Sequence, residues 1–297
     1  MKQNKESPLL QKWIIDIKLN KVMKQRTYIF TLFILISILF SCTPGERKLV
    51  ILHTNDVHSA IEPNEKGEGG FAMRCAIIDS IRQVEGDILL VDAGDYFQGT
   101  PYFNFFGGAV EIEAMNNMGY DVITLGNHEF DNGVEALVKQ LTSSKATIVS
   151  TNYDISETAL KGIVFPYTIT EKNGIKVGIF GLGVSPEGLI RNDLFGKIHY
   201  KDPINSANKM AFNLKKNQKC DVVVCLSHLG YRYTNNTEKV CDSILAIRSA
   251  DIDVIIGGHT HDLIVNKKIK NKMGKEVTVA QMGKNGRYVG KIKISID

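Results

Sequence analysis

The chain has 297 residues, of which 43% are hydrophobic and 23% are charged, with 26 Gly, 7 Pro and a formal net charge of +4. These values are typical of a globular protein, and they exclude an intrinsically disordered chain, a collagen-like repeat and a disulfide-rich miniprotein. The length suits one ordinary domain or two small ones.

The positive charge is concentrated at the N-terminus. Residues 1–41 contain seven Lys or Arg against only Glu6 and Asp16, so the rest of the chain has a net charge of −1. A near-neutral remainder gives no electrostatic reason to expect nucleic-acid binding, and it disfavours a DNA nuclease.

The N-terminal segment has the pattern of a secretion signal. A basic stretch, residues 23–26, precedes an apolar run from Tyr28 to Phe40. This run is shorter than the ~20 residues that a membrane-spanning helix needs, and no comparable run follows it. We therefore predict a signal segment over residues 1–41, with Met23 as an alternative start of the chain.

The end of the apolar run, Leu39-Phe40-Ser41-Cys42, resembles the bacterial lipoprotein signal. In that signal a cysteine after a small residue is lipidated and becomes the new N-terminus. The resemblance implies an exported protein that is anchored to a membrane through lipid on Cys42, with a short tether over residues 42–47 and one domain over residues 48–297. A plain secretory signal or an uncleaved anchor is the alternative.

The other four cysteines show no metal-binding or redox pattern. They form no CxxC pair and no zinc-finger spacing, and Cys220 and Cys225 flank a short apolar run. We predict that they are small core residues rather than a disulfide framework; they are Cys75, Cys220, Cys225 and Cys241.

From residue 48 onward, short β-branched runs alternate with amphipathic stretches, which is an α/β pattern. Predicted strands cover residues 49–53, 87–92, 122–125, 147–150, 176–182, 222–227 and 254–256, and two last strands cover 276–280 and 288–296 on the same core. Predicted helices cover residues 71–84, 110–118, 134–141, 205–216 and 239–247. Ligands of such folds bind at the carboxyl ends of the strands.

Polar side chains recur in the turns just after five predicted strands, and five of the seven histidines lie there. The residues are Asp56 and His58, then Asp95, then Asn127 and His128, then His228, and finally His259 and His261. The other two, His53 and His199, are interpreted as ordinary structural or surface histidines.

Each of these motifs has a simpler explanation when it is taken alone. Residues 56–58 suit an Asx turn, residues 126–129 suit a helix N-cap, and residues 94–95 and 257–259 suit glycine turns. Independent turns and caps do not explain why carboxylate, amide and imidazole groups recur at successive strand ends.

A site for two divalent ions explains the recurrence, because it needs several imidazoles, carboxylates and one carboxylate that bridges both ions. Residues two apart in extended backbone point to the same side, so we predict that Asp56 and His58 bind one ion together, and His259 and His261 have the same spacing. Asp95 is the natural bridge. Zinc, manganese, iron and cobalt all suit these ligands.

These motifs together resemble those of the calcineurin-like metallophosphoesterase superfamily. The residues that carry the resemblance are Asp56-x-His58, Gly94-Asp95, Gly126-Asn127-His128-Glu129, Ser227-His228 and Gly257-Gly258-His259-x-His261. Residues 54–58, 94–101 and 127–131 resemble the branch of 5'-nucleotidases and UDP-sugar hydrolases. The resemblance extends from residue 48 to the end of the chain.

The resemblance implies a four-layer α/β/β/α sandwich with a dimetal site at one edge. It assigns the first ion to Asp56, His58, Asp95 and His261, and the second to Asp95, Asn127, His228 and His259. Some relatives carry glutamine at the position of His261, so this position is expected to alter metal preference rather than to abolish binding.

The implied reaction is attack of metal-activated hydroxide on phosphorus. His128 is expected to stabilise transition-state charge or to protonate the leaving group, and Asp131 to orient its imidazole. An alternative for Asp131 is an N-cap of the helix that starts near residue 134.

Nucleotidases of this branch resemble the chain only in their first half, and their second domain holds the base and the phosphate. We expect a separate specificity domain or subunit to complete a nucleotidase. One alternative is a standalone 2',3'-cyclic-nucleotide phosphodiesterase or UDP-sugar hydrolase, and another is a catalytically idle binding lipoprotein.

A run of aromatic residues follows the second motif. It is predicted either to line a substrate mouth or docking face, or to be partly buried around a loop. The residues are Tyr96, Phe97, Tyr102, Phe103, Phe105 and Phe106.

Overall fold

The computed structural model of the protein describes residues 8–39, 46–236 and 238–296. The chain divides into two units, one that ends at Arg47 and one that covers Lys48–Ile296. The first contains helix α1, Pro8–Leu39. Among the described residues, no helix is long and apolar enough to cross a membrane. The predicted lipidation site, Cys42, lies outside the described residues.

The second unit alternates strands and helices. In chain order, the elements after α1 are β1 (Arg47–Thr54), α2 (Gly70–Glu85), β2 (Leu89–Asp92), α3 (Pro101–Phe106), α4 (Ala109–Met118), β3 (Val122–Thr124), α5 (Gly133–Leu141), β4 (Thr147–Val149), β5 (Tyr153–Asp154), β6 (Val164–Phe165), β7 (Tyr167–Lys172), β8 (Ile175–Leu182), α6 (Asn192–Phe195), β9 (His199–Tyr200), α7 (Pro203–Phe212), β10 (Val222–Ser227), α8 (Asp242–Arg248), β11 (Val254–Ile256), β12 (Leu263–Lys270), β13 (Glu276–Met282) and β14 (Gly290–Ile296).

Two six-stranded sheets form the centre of this unit. Their strand orders are β14-β1-β2-β3-β4-β6 and β12-β13-β11-β10-β8-β7. The neighbours from β1 to β4 pair in parallel, as do β8 with β10, β10 with β11 and β11 with β13. Parallel neighbours end at the same edge of their sheet, so the turns that follow them lie side by side.

The two sheets face each other across a shared apolar core, and helices cover their outer faces. The inner core includes Leu49 and Ile51 of the first sheet and Val177 and Val224 of the second. Outside the first sheet, α2, α4 and α5 pack in one cluster, and outside the second sheet α7 and α8 pack in another. This arrangement is the α/β/β/α sandwich that the family resemblance implies.

The central strands are buried on both faces, as in other parallel sheets with covered faces. They therefore appear in the sequence as continuous apolar runs. All six residues of β10 are buried, and the predicted bounds, 222–227, match the observed ones. The two last predicted strands, β13 and β14, lie in different sheets, although Ala280 and Ile292 both face the inner core.

Two strands of the second sheet are absent from the sequence prediction. They are β7 and β12, which pair antiparallel at its two edges. Their residues are mostly half-exposed or exposed, so they show no apolar run. The sequence predicts one helix over residues 205–216. In the structure α7 ends at Phe212, and a π-helical turn follows over Asn213–Asn217.

The four cysteines of the described residues are free thiols, and three of them are buried, as the core interpretation expects. Part of the aromatic run is buried, and part of it is exposed at the surface. Tyr96, Phe97 and Phe103 are buried in the core, whereas Phe105 and Phe106 on α3 are exposed.

Candidate active site

The candidate site lies where five parallel strands end. Asp56 follows β1, Asp95 follows β2 and Asn127 follows β3 in the first sheet, whereas His228 follows β10 and His259 follows β11 in the second. Both sheets therefore contribute side chains to one place at the edge of the sandwich, as expected for ligand sites of α/β folds.

The structure brings six of the seven predicted ligands, together with the predicted catalytic residue His128, into three overlapping groups. The potential ligand atoms of each group lie within 4.8 Å of one another: Asp56, His58 and His261; then His58, Asp95 and His128; then Asp95, His228 and His259. Asp95 belongs to two of these groups, which is the position that a bridging carboxylate requires.

Asn127 reaches the third group through its side chain. Its Oδ1 lies 2.9 Å from Nδ1 of His259. The side-chain oxygen of an amide is a neutral ligand for hard or borderline divalent ions. All seven residues that the sequence predicts as ligands therefore converge on one region. His53 is fully buried, where burial lowers its pKa to about 4, and His199 is exposed.

The prediction that Asp56 and His58 lie in extended backbone is wrong, although their side chains converge. Their φ angles are 48° and 50°, so both residues are left-handed rather than extended. His259 and His261 are also left-handed, and despite their equal spacing they belong to different groups. Non-glycine residues in this region are rare and cluster at functional sites.

Small residues allow the turns to approach so closely. A Cβ atom on Gly126 would collide with Oδ1 of Asp95, and a Cβ atom on Gly258 would lie 2.8 Å from Nδ1 of His228. The glycines in the motifs therefore have a steric role beside the candidate ligands.

His228 is oriented as a metal ligand would be. Its Nδ1 donates to the backbone carbonyl of Ala93 at 2.7 Å, so in the neutral ring the lone pair is on Nε2. Nε2 lies 2.9 Å from Oδ2 of Asp95, yet it is buried and has no aligned hydrogen-bond partner among the described residues. Two potential ligand atoms this close together in a buried place fit coordination of a shared cation.

The electrostatics of the site also favour a bound cation. Burial alone would lower the pKa of His228, but the carboxylates of Asp95 and Asp56 outweigh it and raise the pKa to about 10. Burial lowers the pKa of His259 to about 4 and also lowers the pKa of His58. The neutral imidazoles of His58 and His259, and carboxylates whose charge is otherwise balanced by a proton on His228, suit divalent metal ions, so the residues fit a dinuclear site.

His128, a member of the second group, forms a pair with Asp131. Nδ1 of His128 lies 2.8 Å from Oδ2 of Asp131, and this hydrogen bond is the main cause that raises the pKa of His128 to about 9. Both side chains are about one-third exposed, at 32% and 33%. The N-cap alternative for Asp131 is wrong, because α5 begins at Gly133 after Asn132.

Glu129 is a residue of the motif to which sequence reasoning gave no role. Its carboxylate accepts hydrogen bonds from the backbone N–H groups of Asp95, Tyr96, Phe97 and Gly126, at 2.9, 3.0, 3.2 and 2.6 Å. It is 2% exposed. Glu129 thus ties the turn of Asp95 to the turn of Asn127 and His128. In the sequence, the sign of such a role is that a charged residue, Glu129, directly follows Asn127 and His128 in the same motif.

Comparison with known proteins identifies the family. The chain matches the Calcineurin-like phosphoesterase family over residues 49–263. It is 36% identical to a 5'-nucleotidase of Vibrio cholerae over 225 residues, which are 72% of this chain and 40% of that protein.

Solved structures agree with this match. A 5'-nucleotidase precursor from Thermus thermophilus superposes with a TM-score of 0.77 at 35% identity, covering 84% of this chain and 52% of the other. The NAD nucleotidase NadN of Haemophilus influenzae gives 0.74 at 32% identity, covering 85% and 48%. The chain spans about half the length of these relatives. It therefore belongs to the calcineurin-like phosphoesterase family, a family of metal-dependent phosphoester hydrolases.

Proposed function

We propose that the protein is a 5'-nucleotidase-like hydrolase that removes phosphate from extracytoplasmic nucleotides at a dinuclear metal site. The observation that carries the proposal is the sharing of Asp95 between two groups of potential ligands, one of which contains His128. The 5'-nucleotidases among the relatives support the nucleotide as substrate.

In this proposal Asp56, His58, Asp95 and His261 hold one ion, and Asp95, Asn127, His228 and His259 hold the other. When bound, the ions neutralise phosphoryl charge and lower the pKa of the attacking water. Zinc, manganese, iron and cobalt all suit this donor set.

The chain's own groups would do the rest. The imidazole of His128 faces the ligand groups and would donate a hydrogen bond to a phosphoryl oxygen or a proton to the leaving oxygen. Asp131 would hold the ring through Nδ1, so that the opposite nitrogen, Nε2, is the donor. Glu129 would keep the turns of Asp95 and His128 at a fixed separation.

We propose further that a separate domain or subunit supplies nucleotide specificity. The support is the span of the match, which covers about half of each relative. Export and lipid anchoring through Cys42 remain part of the proposal on the strength of the sequence pattern. Labelling of cells with a palmitate analogue tests the anchor: wild-type chain should incorporate the label, and a Cys42→Ala variant should not.

The catalytic test measures phosphate release by the full chain, in detergent, after dialysis against EDTA and reconstitution with manganese or zinc. The substrates are p-nitrophenyl phosphate, AMP, UDP-glucose and 2',3'-cyclic AMP, with a coupled phosphatase for the last two. We expect metal-dependent turnover of the aryl ester and of AMP. Asp95→Asn should abolish it, and the exposed control Asp193→Asn should not.

The alternatives give other outcomes. Efficient turnover of the cyclic nucleotide or UDP-glucose alone would identify a standalone phosphodiesterase or UDP-sugar hydrolase. Absence of turnover with two bound metal ions, or absence of metal binding, would leave the idle binding protein and would refute the proposed hydrolase.

A further inference from the structure

A strongly basic hairpin lies at one edge of the second sheet. It comprises β12, β13 and the turn between them, residues 263–282, and we call it the lysine hairpin. It contains five lysines and a single acidic residue, Glu276, although residues 42–297 together have a net charge of −1. All five lysines are exposed, and they are Lys267, Lys268, Lys270, Lys272 and Lys275. The lysine hairpin is therefore a local concentration of positive charge.

The contacts of these lysines leave their charge unbalanced. Nζ of Lys268 donates to the hydroxyl of Thr278 at 2.6 Å, and Nζ of Lys272 donates to the amide oxygen of Asn208 at 3.3 Å. Both acceptors are neutral. Within the part of the chain that the structure describes, no ion pair involves a lysine of the hairpin.

The carboxylates that come just before the neighbouring strand β11 are already paired elsewhere. Asp251 lies 3.3 Å from Nζ of Lys216, and Asp253 lies 2.9 Å from Nζ of Lys215. These two carboxylates therefore do not balance the lysine hairpin, and its charge is available to a partner outside the chain.

Lysines on an edge strand have one simpler explanation, which is protection against pairing with another sheet. This explanation suits the lysines on β12 itself, because β12 is an edge strand. It does not suit Lys272 and Lys275, which lie in the turn after β12, or Met273 between them, whose side chain is 66% exposed. An exposed methionine between lysines fits a surface that has negative charge outside and an apolar interior.

The turn of the lysine hairpin lies at the edge of the sandwich opposite the candidate site. β13 is parallel to β11, so the turn before β13 lies at the amino end of these strands, whereas His259 follows the carboxyl end of β11. The side-chain amide of Asn271, in the turn, donates to the carbonyl of Ala250, which precedes β11, at 2.9 Å. The eight residues of β12 place the turn roughly 25 Å from the candidate site.

The second unit of the chain begins at the same edge. The side-chain amide of Asn173, in the turn before β8, donates to the carbonyls of Lys48 and Asp87 at 3.1 Å each. Lys48 is the first residue of the second unit, and the predicted tether, residues 42–47, directly precedes it. A tether of this length reaches at most about 20 Å. A lipid on Cys42 would therefore hold this edge, rather than the candidate site, close to the membrane.

We propose that the turn of the lysine hairpin binds an anionic lipid surface, with its lysines on headgroup phosphates and Met273 at the apolar boundary, so that the candidate site faces away from the membrane. This contact goes beyond the proposed hydrolysis. Its orientation rests on the proposed anchor at Cys42, whereas the charge of the hairpin does not depend on the anchor. A site that faces away from lipid is open to soluble substrates and to a separate domain.

The first test compares the labelling of lysines on two kinds of vesicle. The full chain in detergent is diluted into an excess of vesicles of phosphatidylcholine, with or without phosphatidylglycerol, and is labelled briefly with acetic anhydride. Mass spectrometry gives the rate at each lysine. We expect Lys272 and Lys275 to be labelled about fivefold more slowly on the anionic vesicles, and to lose this protection at high salt.

Lys284 is the matched control in this test. It is exposed and lies in the turn after β13, at the other end of the strand that Lys275 precedes. It should be labelled at the same rate on both kinds of vesicle.

The second test measures contact with lipid directly. Trp13 is the single tryptophan of the chain, so Trp13→Phe together with Met273→Trp leaves one tryptophan, in the turn of the hairpin. Lipids with brominated tails quench tryptophan that reaches the apolar boundary. We expect its fluorescence to fall by about half on anionic brominated vesicles. Phe105→Trp, at an 81% exposed position on α3, is the control and should not be quenched.

Charge reversal then tests the role of the lysines. Added to the Met273→Trp chain, Lys272→Glu/Lys275→Glu should abolish the quenching, because two attractive charges become repulsive. Lys284→Glu should leave the quenching unchanged. Circular dichroism checks that each variant is folded.

The outcomes separate this proposal from the others. Equal labelling of Lys272 and Lys275 on both kinds of vesicle, or quenching that survives the charge reversal, overturns it. Protection by polyglutamate without protection on anionic vesicles would assign the turn to an acidic protein partner, and would also overturn it. Palmitate labelling at Cys42 and phosphate release test the anchor and the hydrolase, and either can fail while the two lysines remain protected.

Discussion

The candidate site has a deep half, made of Asp56, Asp95 and His228, and an open half, made of His128, Asp131 and His261. Residues of the deep half are at most 1% exposed, whereas the side chains of the open half are 32% to 33% exposed. The deep half carries the carboxylates whose negative charge favours a bound cation and raises the pKa of His228. The open half carries the proposed catalytic pair His128 and Asp131 together with one proposed metal ligand, His261, so the proposal places proton handling in a more exposed environment than the bridging carboxylate.

The difference arises from how each half is attached to the fold. Asp56 and His228 come directly after buried strands, and the backbone fixes them: Asp56 accepts from the N–H of His259, and His228 donates to Ala93. His128 begins a 3-10 turn, and Asp131 follows that turn. A group on a turn at the surface can change its hydrogen bonds without moving the sheets.

The largest expected effect comes from the deep half. Asp95→Asn removes the charge shared by two ligand groups, so we expect kcat to fall by about 10³-fold and the metal content to fall below two ions per chain. Elemental analysis and phosphate release measure the two effects. Two tightly bound ions with near wild-type kcat would mean that Asp95 is not the bridge.

The pair of His128 and Asp131 in the open half should respond in activity alone. Asp131→Asn removes the carboxylate that holds His128, so we expect kcat to fall by about 10²-fold with metal content unchanged. The same two measurements apply, with Asp193→Asn as the exposed control. Loss of metal from this variant would contradict the division into two halves.

Glu129→Gln tests the link between the halves. An amide NH₂ would face backbone N–H donors that the carboxylate now satisfies, which costs ~2 kcal/mol of stability. We expect metal affinity to fall about tenfold, as for other residues that orient ligands. Glu113→Gln, at an exposed position, is the control. Equal metal affinity in both variants would remove Glu129 from this role.

The smallest effect is expected at His261. His261→Gln keeps a neutral ligand atom at a position whose side chain is one-third exposed. We expect kcat to change by only about threefold, with a shift in which metal activates best, because amide oxygen is harder than imidazole. Titration of the apo chain with manganese and zinc measures the shift. An inactive variant would show that His261 belongs with the deep half.

Many strands were predictable because parallel strands buried on both faces appear in the sequence as apolar runs, as in β8 and β10, whereas their arrangement as a sandwich followed only from the family resemblance. The edge strands β7 and β12 were not, since pairing with a neighbour stabilises them rather than their own pattern. The positions of the site residues followed from polar residues at strand ends. Their left-handed backbone did not, and neither did the role of Glu129, whose partner Asp95 is 34 residues away.

The candidate site draws on the ends of strands in both sheets, and this has a consequence for folding. A chain that has formed only one sheet has Asp56, Asp95 and Asn127, or His228 and His259, but never both sets in place. Activity therefore cannot return during refolding until the sheets have docked, whereas far-ultraviolet circular dichroism returns as soon as helices and strands form. In a refolding experiment, the time at which phosphatase activity returns would therefore measure the docking of the two sheets. Any intermediate in which the sheets have not docked would be inactive.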